Sequence, residues 1–291
     1  MSIAISVPTA PRRRTLRIGN IGFWIGVAIC AVVVFAALFG NALIPHDPFT
    51  QNLNNRLALP FWMDGTQASH MLGTDQLGRD YLARLVYGAR ISLLIGLTTM
   101  IVSGLIGITI GTMGGYFGGI VDDVVMFLIT CRLSIPVTLV ALAVVGLLGS
   151  SLTLVLMTLG LLLWDRFAVV ARSTTMQVRN LDYVSAAVCA GSSTPRLLLK
   201  EILPNIAPHL AVVATLEIAL AILLEAALSF LGLGVPAPLP SWGLMIAEGR
   251  DYMFFSPWVI MIPGVTLFIF VMGVNFVGDG LRSRLGAERP R

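Results

Sequence analysis

Long apolar runs alternate with short polar segments along this chain, and each run has the length of a bilayer-crossing helix. The first extends from about Ile21 to Ile44, roughly 24 residues where a hydrocarbon core asks for ~20. It exceeds the apolar region of a secretory leader and lacks a small-x-small cleavage pattern at its end, so it reads as a retained helix. His46-Asp47-Pro48 then stops it, because proline pushes the residue before it out of helical backbone space. Further runs extend from about Ile91 to Met113, Val124 to Leu148, Leu152 to Val170, Leu210 to Leu231 and Trp258 to Val277. Between the last two, Pro236, Pro238 and Pro240 bar a regular helix. The pattern predicts an all-α membrane protein with about six transmembrane helices.

Within the second run Gly107, Gly111, Gly115 and Gly119 recur every four residues, and the first members share one helix face. Such a face permits close helix packing in lipid; a flexible gate is the alternative use. The ladder continues into GGYFGGIVDD, which predicts a short turn with Asp122 and Asp123 near the start of the next helix, where carboxylates suit its dipole. The third run holds Arg132 and Pro136. An arginine in mid-membrane costs about 2.5–3.5 kcal/mol, so it faces protein or a water-filled path, or snorkels to an interface. Arg132 and Pro136 are therefore candidates for a translocation path. In the fourth run Trp164-Asp165-Arg166 places opposite charges side by side, where they offset one another.

Composition agrees with the pattern: 56% of residues are hydrophobic, 12% are charged, and mean hydropathy is +0.88. A soluble domain carries roughly twice that charged share, so most of this surface faces lipid. Most of the nineteen basic residues fall in three places: Arg12, Arg13, Arg14 and Arg17; Arg166, Arg172, Arg179, Arg196 and Lys200; and Arg282, Arg284, Arg289 and Arg291. In a six-span chain all three lie on one side, and the positive-inside bias makes that side the cytoplasm. Both termini and Arg179 are expected inside, Asp64 and Ala247 outside. The outer segment 45–88 holds Arg56, Arg79 and Arg84 beside Asp47, Asp64, Asp75 and Asp80, charges read as satisfying one another. Arginines at the ends of apolar runs fit membrane topology rather than nucleic-acid binding.

The chemistry of an enzyme is missing from the residues. A phosphate-cradling loop ends in Gly-Lys-Ser/Thr, whereas the only lysine, Lys200, follows Leu199, so any ATP and magnesium must sit on another subunit. His46, His70 and His209 lie far apart with no ligand spacing, and they read as interfacial or loop histidines. No Gly-x-Ser-x-Gly elbow is present. Cys30, Cys131 and Cys189 show neither a disulfide framework nor a metal spacing and read as packing residues.

Three separated blocks carry a stronger signal. They are HMLGTDQLGRDYLARLVYGARISLLIG from His70, DYVSAAVCAGSSTPRLLLKEILPN from Asp182, and EAALSFLGLGVPAPLPSWGLMIAEGR from Glu225. The second carries Ala186-Ala187, Gly191 and Leu203-Pro204 at the spacing of the signature loop of ABC-importer membrane subunits, with Ser185 and Glu201 where that family has Glu and an aliphatic residue. The first and third resemble the second permease type of dipeptide, oligopeptide and nickel importers. The resemblance spans roughly His70 to Arg282 and implies a type I permease bundle with a cytoplasmic coupling loop at 182–205, formed of short helices.

On that resemblance, residues 1–19 are a cytoplasmic arm, 20–88 the first helix and external loop, 89–281 the permease core and 282–291 a cytoplasmic tail. Ser185, Ala186, Ala187, Gly191, Glu201, Leu203 and Pro204 would make the ATPase-coupling segment. The implied partners are a homologous but distinct permease, two ATP-binding subunits, an external solute-binding protein and the bacterial inner membrane, with no nucleic acid. The implied cargo is di- or oligopeptide, with nickel and glutathione open. An ion-driven carrier and a transport-free scaffold are the rival classes; the first needs more ionisable groups within its helices than Arg132, Asp165, Arg166 and Glu225 provide.

Overall fold

The computed structural model describes residues 16–63 and 70–287. Arg12–Arg14, Asp64 and the end of the tail, on which part of the topology reading rests, lie outside the described residues. In chain order the helices are α1 (Leu16–Leu43), α2 (Tyr81–Phe117), α3 (Gly119–Ser134), α4 (Val137–Leu148), α5 (Leu152–Leu162), α6 (Asp165–Val178), α7 (Asp182–Cys189), α8 (Thr194–Arg196), α9 (Leu203–Phe230), α10 (Trp242–Gly249) and α11 (Trp258–Ala287). Five spans are long and apolar enough to cross a bilayer, and the bent pair α3–α4 supplies a sixth. Leu38, Leu105, Leu147 and Phe268 are each at least 60% exposed on the outside of this all-helical bundle, as a lipid-facing surface requires.

The helix α2 is 37 residues long and starts ten residues ahead of its apolar run. Asp80 is the reason: its carboxylate accepts from the Ala83 N–H at 2.7 Å, so the helix is capped and begins within the polar segment. At its other half the glycine ladder packs directly on α6. A methyl group added at Gly107, Gly111 or Gly115 would stand 2.3, 2.4 or 2.6 Å from the carbonyl oxygens of Trp164, Ala168 and Arg172. Two ladders of period four therefore interlock, and the packing use of the glycines holds. Gly119 is not part of it; it opens α3 with φ +52° and open space around it.

The third apolar run is not one straight span. Helices α3 and α4 meet at 77°, because Pro136 lacks an N–H and forces Ile135 to extended backbone at φ −106°, ψ 122°. The fourth span runs on to Val178, past its expected end. The fifth starts earlier than expected: α8, a π-helical segment Leu197–Ile202 and α9 form one rod from Thr194 to Phe230. The expected loop of short helices thus gives way at its far end, where Pro204 lies inside this rod. Pro204 cannot donate, and the chain passes it by widening, with the Leu203 N–H reaching back to the Leu198 carbonyl. Ile95 of α2, Leu159 of α5 and Ala221 of α9 meet, fully buried, at the centre of the bundle. On its flank α1 lies against α11, where Gly26 faces the Gly273 carbonyl.

Candidate functional site

The end of the bundle expected outside is built from the first and third sequence blocks, which are far apart in the chain and interlock in space. Asp75 accepts from the Leu77 and Arg79 backbone N–H groups, from Arg79 Nε at 2.6 Å and from Arg84 at 2.5 Å. Arg84 then reaches Glu248 of α10 at 2.8 Å. Asp75, Arg79 and Arg84 are buried to within 3% exposure, so each charge depends on its partners. Burial pushes the Glu248 carboxyl up, and the Arg79 charge opposes it. Trp242 ties the same helix to α2 through Leu85 O and Ser92 Oγ, and Glu225 accepts from Ser229 and Ser241. The expectation that charges in the outer segment satisfy one another holds for these residues. Asp80 and Arg84 do not brace each other; Asp80 caps the helix and Arg84 turns to Asp75. Gly73 and Gly78 take φ +76° and +73°, with Ala58 O and Asn52 O where a side chain would start, so only glycine fits there.

The opposite end, expected inside, presents α7. Its single buried anchor is Val184, set against the π-helical segment where Leu197 is buried, while Ser185, Ala186, Val188 and Cys189 are exposed. Gly191 stops the helix at φ +78°, the Gly191 N–H bonding to Val188 O at 2.9 Å and the Ser192 N–H to Ala187 O at 3.1 Å. This is the left-handed paired-bond cap that glycine adopts most readily. Leu203 and Pro204 lie in the rod rather than in a separate short helix. Glu201 lines up beside Tyr183, whose phenol rises through burial and through the Glu201 charge and whose hydroxyl donates to Glu201 O at 3.4 Å. Arg179 binds the Gly115 and Tyr116 carbonyls that end α2, and Arg172 forks onto Asp122 at 2.5 and 2.6 Å. Arg172 and Arg179 thus fasten α6, and the segment after it, to α2 and α3.

Between the two ends a lateral cavity of about 600 Å³ opens beside α6 and α9, lined by Asp165, Arg166, Gln177, His209 and Arg282 among aliphatic residues. Asp165 and Arg166 do not offset each other. Asp165 faces Arg132 at 3.9 Å, and Arg166 faces Glu217 at 3.5 Å. Glu217 is fully buried in α9 and was missed by the count of intramembrane charges; a lone carboxylate eight residues before Glu225 in an apolar run was the signal that could have found it. Arg132 donates to Leu162 O at 2.5 Å and Ile135 O at 3.3 Å, holding the α3–α4 bend against the end of α5, and Pro136 stands at that bend.

Two readings change. His46 and His70 are not separate: their rings lie 5.0 Å apart and both face Asp80. Cys131 and Cys189 are exposed rather than packed, and only Cys30 is partly buried.

Residues 107–286 match the model of the binding-protein-dependent transport system inner membrane component. The chain belongs to that family. The di/tripeptide transport system permease protein DppC of Pseudomonas aeruginosa is 41% identical over 260 residues, covering 89% of this chain and 86% of the relative. The oligopeptide permease protein OppC of Bacillus subtilis is 35% identical over 94% and 87% of the two chains. The fold is also that of the inward-facing MetNI methionine ABC transporter, at TM-score 0.56 and 19% identity, over 71% of this chain and 97% of that one. The permease is thus a multi-pass inner-membrane transport component of the ABC-importer type, and the carrier and scaffold readings fall away.

Proposed function

We propose that this permease forms one half of the membrane path of an ATP-driven importer of di- and oligopeptides and takes its motion from α7. The peptide cargo is supported by its likeness, over most of the chain, to permeases named for di/tripeptide and oligopeptide transport. The coupling role is supported by one observation above all: α7 is an eight-residue helix held by a single buried side chain, with an open face of small residues. A groove on a nucleotide-binding subunit can close on such a face, and α6, tied to α2 by the glycine ladder and by Arg179, carries the displacement into the bundle. ATP and magnesium belong to that subunit, since this chain has no phosphate-cradling loop. A distinct homologous permease would complete the path across the lateral cavity, and an external binding protein would deliver peptide to the interlocked outer end. Both termini and α7 then lie in the cytoplasm, following the basic residues.

Cys189 offers a direct test, being exposed on α7. With Cys30 and Cys131 replaced by serine, a membrane-impermeant maleimide is expected to label Cys189 in inside-out vesicles and not in intact cells. Adding the ATPase subunits should protect it. Labelling from outside, or equal labelling with and without the ATPases, refutes the docking role. Cargo is checked in reconstituted vesicles: peptide is expected to accumulate with ATP turnover, and uptake of nickel or glutathione alone would replace the peptide reading.

Gly191→Val separates coupling from folding. Nothing stands within 4 Å of the added carbon, so the change acts only through backbone strain at φ +78°. A non-glycine residue there costs ~1–2 kcal/mol, and more for a β-branched one. The variant is expected to insert normally while losing at least tenfold in uptake per ATP hydrolysed or shedding its ATPases on purification. Unchanged uptake with the ATPases retained would remove α7 from the mechanism.

A further inference from the structure

We propose that His46, His70 and Asp80 form a binding site for a divalent transition-metal ion, with zinc the best fit, at the outer end of the permease. Each of the three offers a ligand atom, and all three atoms lie within 4.8 Å of one another. His70 Nδ1 stands 2.8 Å and His46 Nδ1 3.5 Å from the same oxygen, Asp80 Oδ2. Zinc holds imidazole nitrogen and carboxylate oxygen at about 2.0–2.2 Å, which sets ligand atoms in a tetrahedron roughly 3.4 Å apart. The two histidine–Asp80 separations, 3.5 and 2.8 Å, bracket that spacing.

The residues come from three local elements: the stop after α1, the head of the first sequence block, and, ten residues beyond His70, the N-cap of α2. Asp80 is 5% exposed, and its other oxygen is already held by the Ala83 N–H, so the carboxylate is aimed before any ion arrives. His70 is mostly buried, whereas His46 is 40% exposed on its side chain. The ion would therefore enter from the His46 side, where a cleft of about 390 Å³ bounded by residues 44–49, Ala83 and Tyr87 leaves room for water as the fourth ligand. A hydrogen bond from His70 to Asp80 explains that pair alone. A second imidazole nitrogen is turned to the same oxygen at 3.5 Å, a distance that suits either an ion pair with a protonated His46 or two ligands on one ion. Two imidazoles and one carboxylate select zinc, copper or nickel over magnesium or calcium, which prefer oxygen sets. Bound there, the ion clamps the α1–α2 linker to the first turn of α2, beside the buried Asp75–Arg84–Glu248 network.

The test uses the purified, chelator-stripped permease complex and zinc chloride, with cobalt(II) as a spectroscopic substitute. The parent is expected to bind one zinc per permease more than His46→Ala, to give the visible absorption of low-symmetry cobalt(II), and to melt at a higher temperature when zinc is present. His46→Ala is the decisive variant because His46 is in an exposed loop and caps nothing; a loss of at least tenfold in affinity and of the zinc-dependent shift is expected. His70→Ala should do the same. Asp80→Asn, which retains a helix-capping oxygen, should fold and still lose affinity. Equal zinc stoichiometry and equal thermal shift in the parent and His46→Ala overturn the proposal, as does a parent that responds to calcium or magnesium and not to zinc.

Discussion

Arg84→Ala is expected to cost this permease roughly 3–5 kcal/mol of stability, because it takes the nearest counter-charge from both Asp75 and Glu248. Arg84 is 1% exposed and is the side chain that joins Asp75, equally buried, to Glu248 across the interface of the first and third sequence blocks. Truncation leaves Arg79 to serve both Asp75 and, at 3.5 Å, Glu248, and it weakens the tie between α10 and the head of α2, which Trp242 alone then holds closely. The contrast is Arg56→Ala, whose guanidinium, among the described residues, binds the Gln76 carbonyl at an exposed site and whose removal is worth less than ~1 kcal/mol. Arg84→Lys keeps the charge but cannot reach both carboxylates with a fork, and it should fall between. The measurement is the thermal melt of the detergent-solubilised complex together with protease resistance of the outer segment. If Arg84→Ala melted together with Arg56→Ala, the network would not hold the outer end.

Gly111→Leu is the second large effect expected, and it acts at the opposite end of α2. A single carbon added there already sits 2.4 Å from Ala168 O and 2.9 Å from Ala168 Cα, which are backbone atoms that cannot swing aside. Even one or two surplus carbons in a packed core cost ~1–3 kcal/mol, and here the two helices must separate. Since α6 runs on towards α7, separation should also break the transmission of motion. Expected results are a lower melting temperature and peptide uptake reduced at least tenfold relative to ATP hydrolysis. Gly264→Leu, where nothing lies within 4 Å, controls for adding a leucine to a membrane helix. Equal behaviour of the two variants would show that the glycine ladder tolerates separation.

The spans were legible because hydropathy over ~20 residues reports a property of the solvent: a bilayer admits apolar helices and little else. Their true ends were not. Helix α2 begins at Tyr81 because Asp80 caps it, and the fifth rod begins at Thr194 because the backbone can widen around Pro204 rather than break. Hydropathy sees neither, since capping and bond register concern hydrogen bonds and not transfer into lipid. The bend at Pro136 has a local cause too, but one that the apolar run around it masked.

The sequence by itself determined the class of molecule, the count of spans once the bent pair is included, and the packing face of Gly107, Gly111 and Gly115. Each depends on residues close together in the chain or on the surrounding solvent. The tertiary structure alone decided partner choice. It set Arg166 against Glu217 rather than Asp165, joined Asp75 to Glu248 through Arg84, and turned two remote histidines towards Asp80. In a low-dielectric interior a charge must find compensation wherever the fold supplies it, and the fold brings together residues that no spacing along the chain relates.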